Sequence, residues 1–150
     1  GAEVESVWSI GGAYKYPAFA EMGDADHVMS TCRFENGAMA VINAGRTATI
    51  GHDTYTEVVG TLGSLRIGRP AAVNRVEVYD QYGARRECVE TFWDRFHEGF
   101  LLIAEDFLDC IRTGRRPELT LRDARQATLV ATAFTQSFEK GELVRIDTVV

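Results

Sequence analysis

No apolar run in this sequence approaches the roughly 20 residues that a membrane-spanning helix needs. The N-terminus alternates apolar and polar residues and so lacks the continuous apolar stretch of a signal peptide. Basic charge is not in excess: 16 Lys and Arg stand against 22 Asp and Glu, a net charge of −6. That balance argues against a nucleic-acid or anionic-membrane surface, which requires a basic patch. Only Arg85-Arg86 and Arg112, Arg115 and Arg116 bunch at all, and loop or helix-end positions account for both groups. Cysteine is scarce. Cys32, Cys88 and Cys110 are odd in number and widely spaced, and no Cys-x-x-Cys occurs. A disulfide framework and a zinc site are therefore not expected, core thiols are, and a reducing cytoplasm fits.

Several catalytic signatures are missing too. "IGGAYK" and "GTLGSLRIG" miss both the spacing and the strand–turn–helix setting of a Gly-x-Gly-x-x-Gly loop. No P-loop, His-Glu-x-x-His or Gly-x-Ser-x-Gly is present. His27, His52 and His97 lie too far apart for a metal-ligand spacing. The sequence thus assigns no catalytic, cofactor-binding or metal-ligating residue to this chain.

What is present is an ordinary globular composition, 45% hydrophobic and 25% charged over 150 residues, enough for one domain with a core. The first ninety residues read as six or seven short strands at hairpin spacing, which favours antiparallel pairing. In "DHVMSTCRF" Val28, Cys32 and Phe34 alternate with Met29, Thr31 and Arg33. "ENG" at 35–37 predicts a tight primed turn into "AMAVINAGR". "YKYPAFAEMGD" reads as a connection, and "NRVEVYD" at 74–80 as a strand. After Thr91 the pattern changes to helical period: Phe92, Phe96, Phe100, Ile103, Phe107 and Ile111 form one stripe, closed by Gly114 and Pro117. Thr120 with Asp123 resembles a capping box, and Ala127, Val130, Ala131, Phe134 and Phe138 make a second, narrow stripe. A last strand runs from Leu143 to Ile146. The expected fold is α+β: a largely antiparallel open sheet with two main helices packed on one face. The other face, carrying Met29, Thr31, Met39, Val41 and Ala44, is expected to be an oligomer interface.

The stretch "TATIGHDTYTEVVGTLGSL" gathers His52, Asp53 and Tyr55 within four positions. Such side chains can hydrogen-bond the hydroxyls of a polyol or sugar, Tyr adding a flat apolar face. They also suit a solvated loop in which Asp53 caps a turn and Tyr55 packs on a sheet. Spacing alone favours the loop.

Taken together, "GDADHVMSTCRFENGAMAVINAGRTATIGHDTYTEVVGTLGSL" and "FHEGFLLIAEDFLDCIRTGRRPELTLRDARQATLVATAF" resemble the C-terminal domain of the Gfo/Idh/MocA oxidoreductases. That family shows Gly-Asp-x-Asp, Phe-x-Asn-Gly, a strand ending in Arg, and Gly-Tyr-Asp-x-Arg-x-Glu-Val-x-Gly-x-x-Gly. Its second half reads Phe-x-x-Glu-x-x-x-Phe, Gly-x-x-Pro and Thr-x-x-Asp-Ala-x-x-Ala. The order and spacing extend over essentially the whole chain, and the wording is nearest to the inositol 2-dehydrogenases.

The resemblance implies that residues 1–150 are a single substrate-binding and oligomerisation domain of an NAD- or NADP-dependent polyol or sugar dehydrogenase. The Rossmann domain and the proton-relay residues would lie outside this chain, which by itself should bind no cofactor and turn over no substrate. The Gly-Ala start fits a fragment. By the same resemblance His52, Asp53 and Tyr55 would touch the substrate and Arg46 would order their loop. His52 stands where the pattern has Tyr and Tyr55 where it has Arg, whereas Asp53 and Glu57 match. A homo-oligomer through the open sheet face is implied, with no nucleic acid and no membrane as partner. The alternatives are a non-catalytic ligand-binding or assembly module and a keto-sugar reductase of the same family.

Overall fold

The computed structural model describes residues 1–47, 51–68 and 72–149. The elements run β1 (Val4–Gly12), α1 (Pro17–Glu21), β2 (His27–Phe34), β3 (Met39–Gly45), β4 (Thr56–Val59), β5 (Ser64–Ile67), β6 (Val78–Asp80) and β7 (Gly83–Arg85). Then follow α2 (Phe92–Arg95), α3 (His97–Thr113), α4 (Leu121–Lys140) and β8 (Val144–Arg145), with a short 3-10 turn at Ile146–Thr148. The chain is α+β, and every strand pair among the described residues is antiparallel. It divides into two compact units, Gly1–Thr47 with Glu118–Val150, and Ala48–Pro117.

The first unit is a four-stranded sheet in the order β3-β2-β1-β8 with α4 packed on β1. Register sorts the faces. Val7 pairs with Cys32 and Val144, and Cys32 with Ala40; these side chains meet Ala133 in a core that is nearly closed to solvent. Burial raises the Cys32 thiol above its ordinary pKa. The alternation expected in β2 is present, with Ser30 and Cys32 buried between exposed Met29, Thr31 and Arg33. Ala44, however, pairs with Val28 and so lies on the side opposite Val41, because side chains three apart in a strand point to opposite faces.

The line of α4 that meets the sheet is Val130, Ala133, Phe134 and Ser137, whereas Ala127 and Ala131 point to solvent. Counting apolar residues alone misplaced that line, because part of the interface is polar. Ser137 Oγ accepts from the Ser9 N–H at 3.0 Å and donates to the Glu142 carbonyl at 2.5 Å. Ser9 and Ser30 hydroxyls bond each other at 2.8 Å beside it. β8 pairs only with Ser6 and Val7, so Ser137 satisfies the Ser9 amide where the strand partner has ended. The opposite face of the sheet is apolar and open: Trp8, Ile10, Met29 and Val41 are 41%, 50%, 52% and 68% exposed.

Three local features differ from the sequence reading. The β2–β3 turn is not primed. Gly37 N–H donates to Phe34 O, Phe34 N–H to Ala38 O, and only Gly37 has positive φ (84°), which is a type I turn with a glycine bulge. "YKYPAFAEMGD" contains α1, with Pro17 opening the helix, where its missing N–H costs nothing. The strand expected at 74–80 is confined to Val78–Asp80, since Asn74 Oδ1 accepts from the Val76 N–H at 2.7 Å and holds the backbone in a turn.

The second unit holds the hairpins β4-β5 and β6-β7 and the helices α2 and α3. Of the two long helices, α4 lies on the four-stranded sheet and α3 belongs to this second unit. The stripe of aromatic and aliphatic residues is helical as expected, but it breaks at Phe96 (φ −118°, ψ 19°). Thr91 caps the first piece, and left-handed Gly114 closes the second as Gly141 closes α4. At Thr120 the capping box forms in full: Asp123 N–H donates to Thr120 Oγ1, and Asp123 Oδ2 accepts from the Thr120 N–H at 2.7 Å. The Thr120 hydroxyl, which donates to Asp123 Oδ2 at 2.6 Å, and the Thr120 N–H together lower the Asp123 carboxyl pKa. The arginine bunches have partners on their own surface, Arg115 with Asp106 and Asp109, Arg85 with Asp80, and Arg86 with Glu77.

Candidate functional site

His52, Asp53 and Tyr55 occupy the segment that leads into β4, inside the second unit. Residues 48–50, which precede it, lie outside the described residues. The segment is pinned from its C-terminal neighbours in sequence. His52 N–H donates to Val89 O at 2.8 Å, and the imidazole sits against two rings, 6.3 Å from Phe92 and 6.2 Å edge-on from Phe96. Trp93 extends the aromatic group, 4.3 Å from Phe92 and 4.9 Å from Phe100, and remains exposed. His52 is thus a half-buried ring wedged in an aromatic cluster, not a free surface side chain.

Asp53 is the polar centre of the segment. Its Oδ1 is buried and has no hydrogen-bond partner among the described residues. A buried carboxylate oxygen without a donor is uncommon and costly, so its presence needs a reason. Tyr55 is exposed, and the Arg66 guanidinium lies 5.3 Å from its ring centroid while bonding Glu57 at 2.9 Å. The bond to Glu57, which also raises the Arg66 pKa, holds that cation beside the ring. Together the segment presents an unpartnered acceptor, an imidazole and a phenol, a set able to bind hydroxyl groups.

Arg46 lies in the first unit, not with these three. Its N–H donates to Asp26 O at 2.9 Å and its guanidinium lies 5.6 Å from the Phe19 ring centroid. Next to it, Thr47 Oγ1 is 3.1 Å from His27 Nε2.

Two residues carry more of this geometry than their sequence positions suggested. One is Asp26, whose side chain is fully enclosed. Its carboxylate accepts from the backbone N–H of Tyr14 (3.0 Å), Lys15 (2.7 Å) and Tyr16 (2.8 Å), with His27 Nδ1 at 3.4 Å. Burial pushes its pKa up, but these donors outweigh burial and hold the carboxyl well below the usual range. Carboxylate, imidazole and Thr47 hydroxyl line up as in a proton relay. Three backbone amides already occupy the carboxylate, however, so its work is to clamp residues 14–16 to β2. The other residue is Arg95 of α2, whose Nη2 donates to Thr54 O at 3.3 Å. Contacts so distant in sequence leave no periodic signal.

Among the described residues no three His, Cys, Asp or Glu side chains converge to hold a metal ion, and no helix is long and apolar enough to cross a membrane. The strands of the four-stranded sheet pair antiparallel, unlike the parallel strands and glycine turn of a Rossmann dinucleotide site.

Residues 1–146 match the oxidoreductase family, C-terminal alpha/beta domain. The chain belongs to the Gfo/Idh/MocA oxidoreductases, as their C-terminal domain. Over 147 residues this domain is 35% identical to a scyllo-inositol 2-dehydrogenase (NAD(+)) of Bacillus subtilis, covering 98% of the chain and 43% of that protein. A myo-inositol 2-dehydrogenase of Thermotoga maritima is 26% identical, covering 100% of the chain and 45% of that protein. The fold superposes on a crystal structure of scyllo-inositol dehydrogenase from Lactobacillus casei with bound cofactor NAD(H) and scyllo-inositol, with a TM-score of 0.93 and 31% identity. That match covers 98% of this chain and 43% of the other. The chain therefore spans less than half the length of the relatives it matches.

Proposed function

We propose that this domain is the substrate-binding and oligomerisation half of a cytoplasmic NAD(P)-dependent oxidoreductase that oxidises a hydroxyl of a polyol or sugar of the inositol type. Residues 1–150 act as one functional domain in this reading. The nicotinamide cofactor and the groups that move the proton belong to another part of the polypeptide. This chain contributes the pocket wall: Asp53 accepts a hydrogen bond from a substrate hydroxyl, and His52 and Tyr55 flank it. Arg46 orders the chain entering the segment. The observation that carries the reading is the buried Oδ1 of Asp53, which has no donor among the described residues, at a position where the family pattern also has Asp. His and Tyr in place of the pattern's Tyr and Arg keep hydrogen-bonding capacity and alter shape and charge. A substrate differing from plain inositol at the hydroxyls facing these two side chains accords with that exchange.

The test is steady-state turnover of the intact polypeptide with NAD or NADP and a panel that includes myo-inositol and scyllo-inositol. Asp53→Asn keeps an acceptor oxygen but removes the charge that strengthens the bond, and is expected to raise the polyol KM about tenfold. No turnover across the panel, with a correctly folded protein, would favour the non-catalytic module. The open sheet face supports self-association, since large apolar side chains as exposed as Trp8 and Met29 normally become covered. Sedimentation of the intact protein should give a multiple of the monomer mass, and Met29→Glu should lower it.

A further inference from the structure

We propose that Arg95 is a positioning residue for the substrate-contacting segment, fixing Asp53 and Tyr55 through the carbonyl of Thr54 between them. The inference rests on the reading of Asp53 as a substrate contact. Its evidence lies entirely within the second unit. Arg95 is half-buried, its Nη2 donates to Thr54 O at 3.3 Å, and its guanidinium stacks on the adjacent Phe96 ring at 5.1 Å. Phe96 in turn packs edge-on against His52, so one side chain braces the segment at both ends.

Two details argue that this cation is held for the segment's sake and not for its own. Its Nε is buried and has no partner among the described residues. No ion pair within 4.0 Å joins it to any carboxylate among the described residues, unlike Arg66, Arg85, Arg86 and Arg115. The space around it is also tailored. At Gly68 (φ +83°) a Cβ would stand 2.7 Å from Thr54 O and 3.0 Å from Arg95 Nη2. Any side chain there would press on the bond that Arg95 makes, and the left-handed backbone disfavours one as well. Arg95 and Gly68 thus confine the same carbonyl, one by bonding it and the other by leaving it room.

A residue that works through Asp53 has a distinct kinetic signature. In the intact polypeptide, with myo-inositol and scyllo-inositol as probes, Arg95→Met is expected to raise the polyol KM by roughly tenfold, with kcat and the cofactor KM within about twofold of the unmodified protein. Arg95→Lys keeps a cation without the planar fork and should recover part of the loss. The effects of Arg95→Met and Asp53→Asn should not add: the double variant should have a polyol KM within about twofold of Asp53→Asn alone. Gly68→Ala, made separately, should raise the same KM, and carries the test with Arg95→Lys where Arg95→Met fails to fold. Additive effects of Arg95→Met and Asp53→Asn would overturn the proposal. So would an equal rise in polyol and cofactor KM, or an unchanged polyol KM in Arg95→Met and Gly68→Ala while Asp53→Asn raises it. An unchanged KM in Asp53→Asn would instead remove the substrate-contact reading, and this inference with it.

Discussion

Asp26 in the first unit and Asp53 in the second are both buried in part or whole, and their surroundings are opposite. Asp26 accepts from three backbone amides and faces an imidazole, so its charge is compensated at every lone pair the fold can reach. Asp53 has an enclosed oxygen that receives no donor among the described residues. A carboxylate taken out of water has to be bonded or it destabilises the fold. The first aspartate therefore holds structure together. The second is tolerated at a cost, which is the mark of a group kept for something other than stability.

The contrast breaks most readily at Asp26. Asp26→Ala leaves three amides of residues 14–16 without an acceptor, and the thermal unfolding midpoint of the domain should fall by roughly 10 °C or more. Calorimetry checks this. An unchanged midpoint would make the clamp dispensable and the contrast empty.

Acid titration sharpens the same point. The Asp26 carboxyl is held below its ordinary pKa in the folded state, so it stabilises the fold at pH above about 4, where the unfolded side chain is also ionised. That stability drains away as pH falls below this range toward the folded value. Denaturant midpoints measured from pH 6 down to 2 should drop steeply in the unmodified domain, and Asp26→Asn should flatten the acid limb.

A smaller loss is expected at Ser137. Ser137→Ala strands the Ser9 amide and the Glu142 carbonyl in a closed interface and should cost about 2 kcal/mol in urea unfolding. The least effect is expected at Asp53. Asp53→Ala removes an acceptor that has no donor among the described residues, so stability should not fall and should rise by up to about 1 kcal/mol, while polyol binding in the intact protein weakens. A large loss of stability in that variant would mean that Asp53, like Asp26, serves the fold.

Much of the architecture was legible because it follows from period and cap chemistry. Alternation in "DHVMSTCRF" was enough to orient β2, and Thr120 with Asp123 marked the start of α4 to the residue. The end of α3 was legible as Gly114, since few other residues take a left-handed cap. What was missed shares one cause, a bond or contact that pattern does not encode. The serine bridge of Ser9, Ser30 and Ser137 is polar, so a search for apolar stripes passed over the true contact line of α4. The turn after β2 depended on which of Asn36 and Gly37 took positive φ. The His52–Asp53–Tyr55 cluster was visible as a run of residue types, but nothing local distinguished a solvated loop from a ligand wall.

Spacing and backbone preference are enough to give the α+β order, the antiparallel pairing, the Thr120 capping box, the Gly114 stop and the family. The folded backbone alone makes Asp26 a bonded clamp, leaves Asp53 Oδ1 without a donor among the described residues, and brings Arg95 to Thr54 from 41 residues away. Whether a buried polar group is satisfied depends on donors brought from elsewhere in the chain, and only the folded backbone fixes where they come to rest.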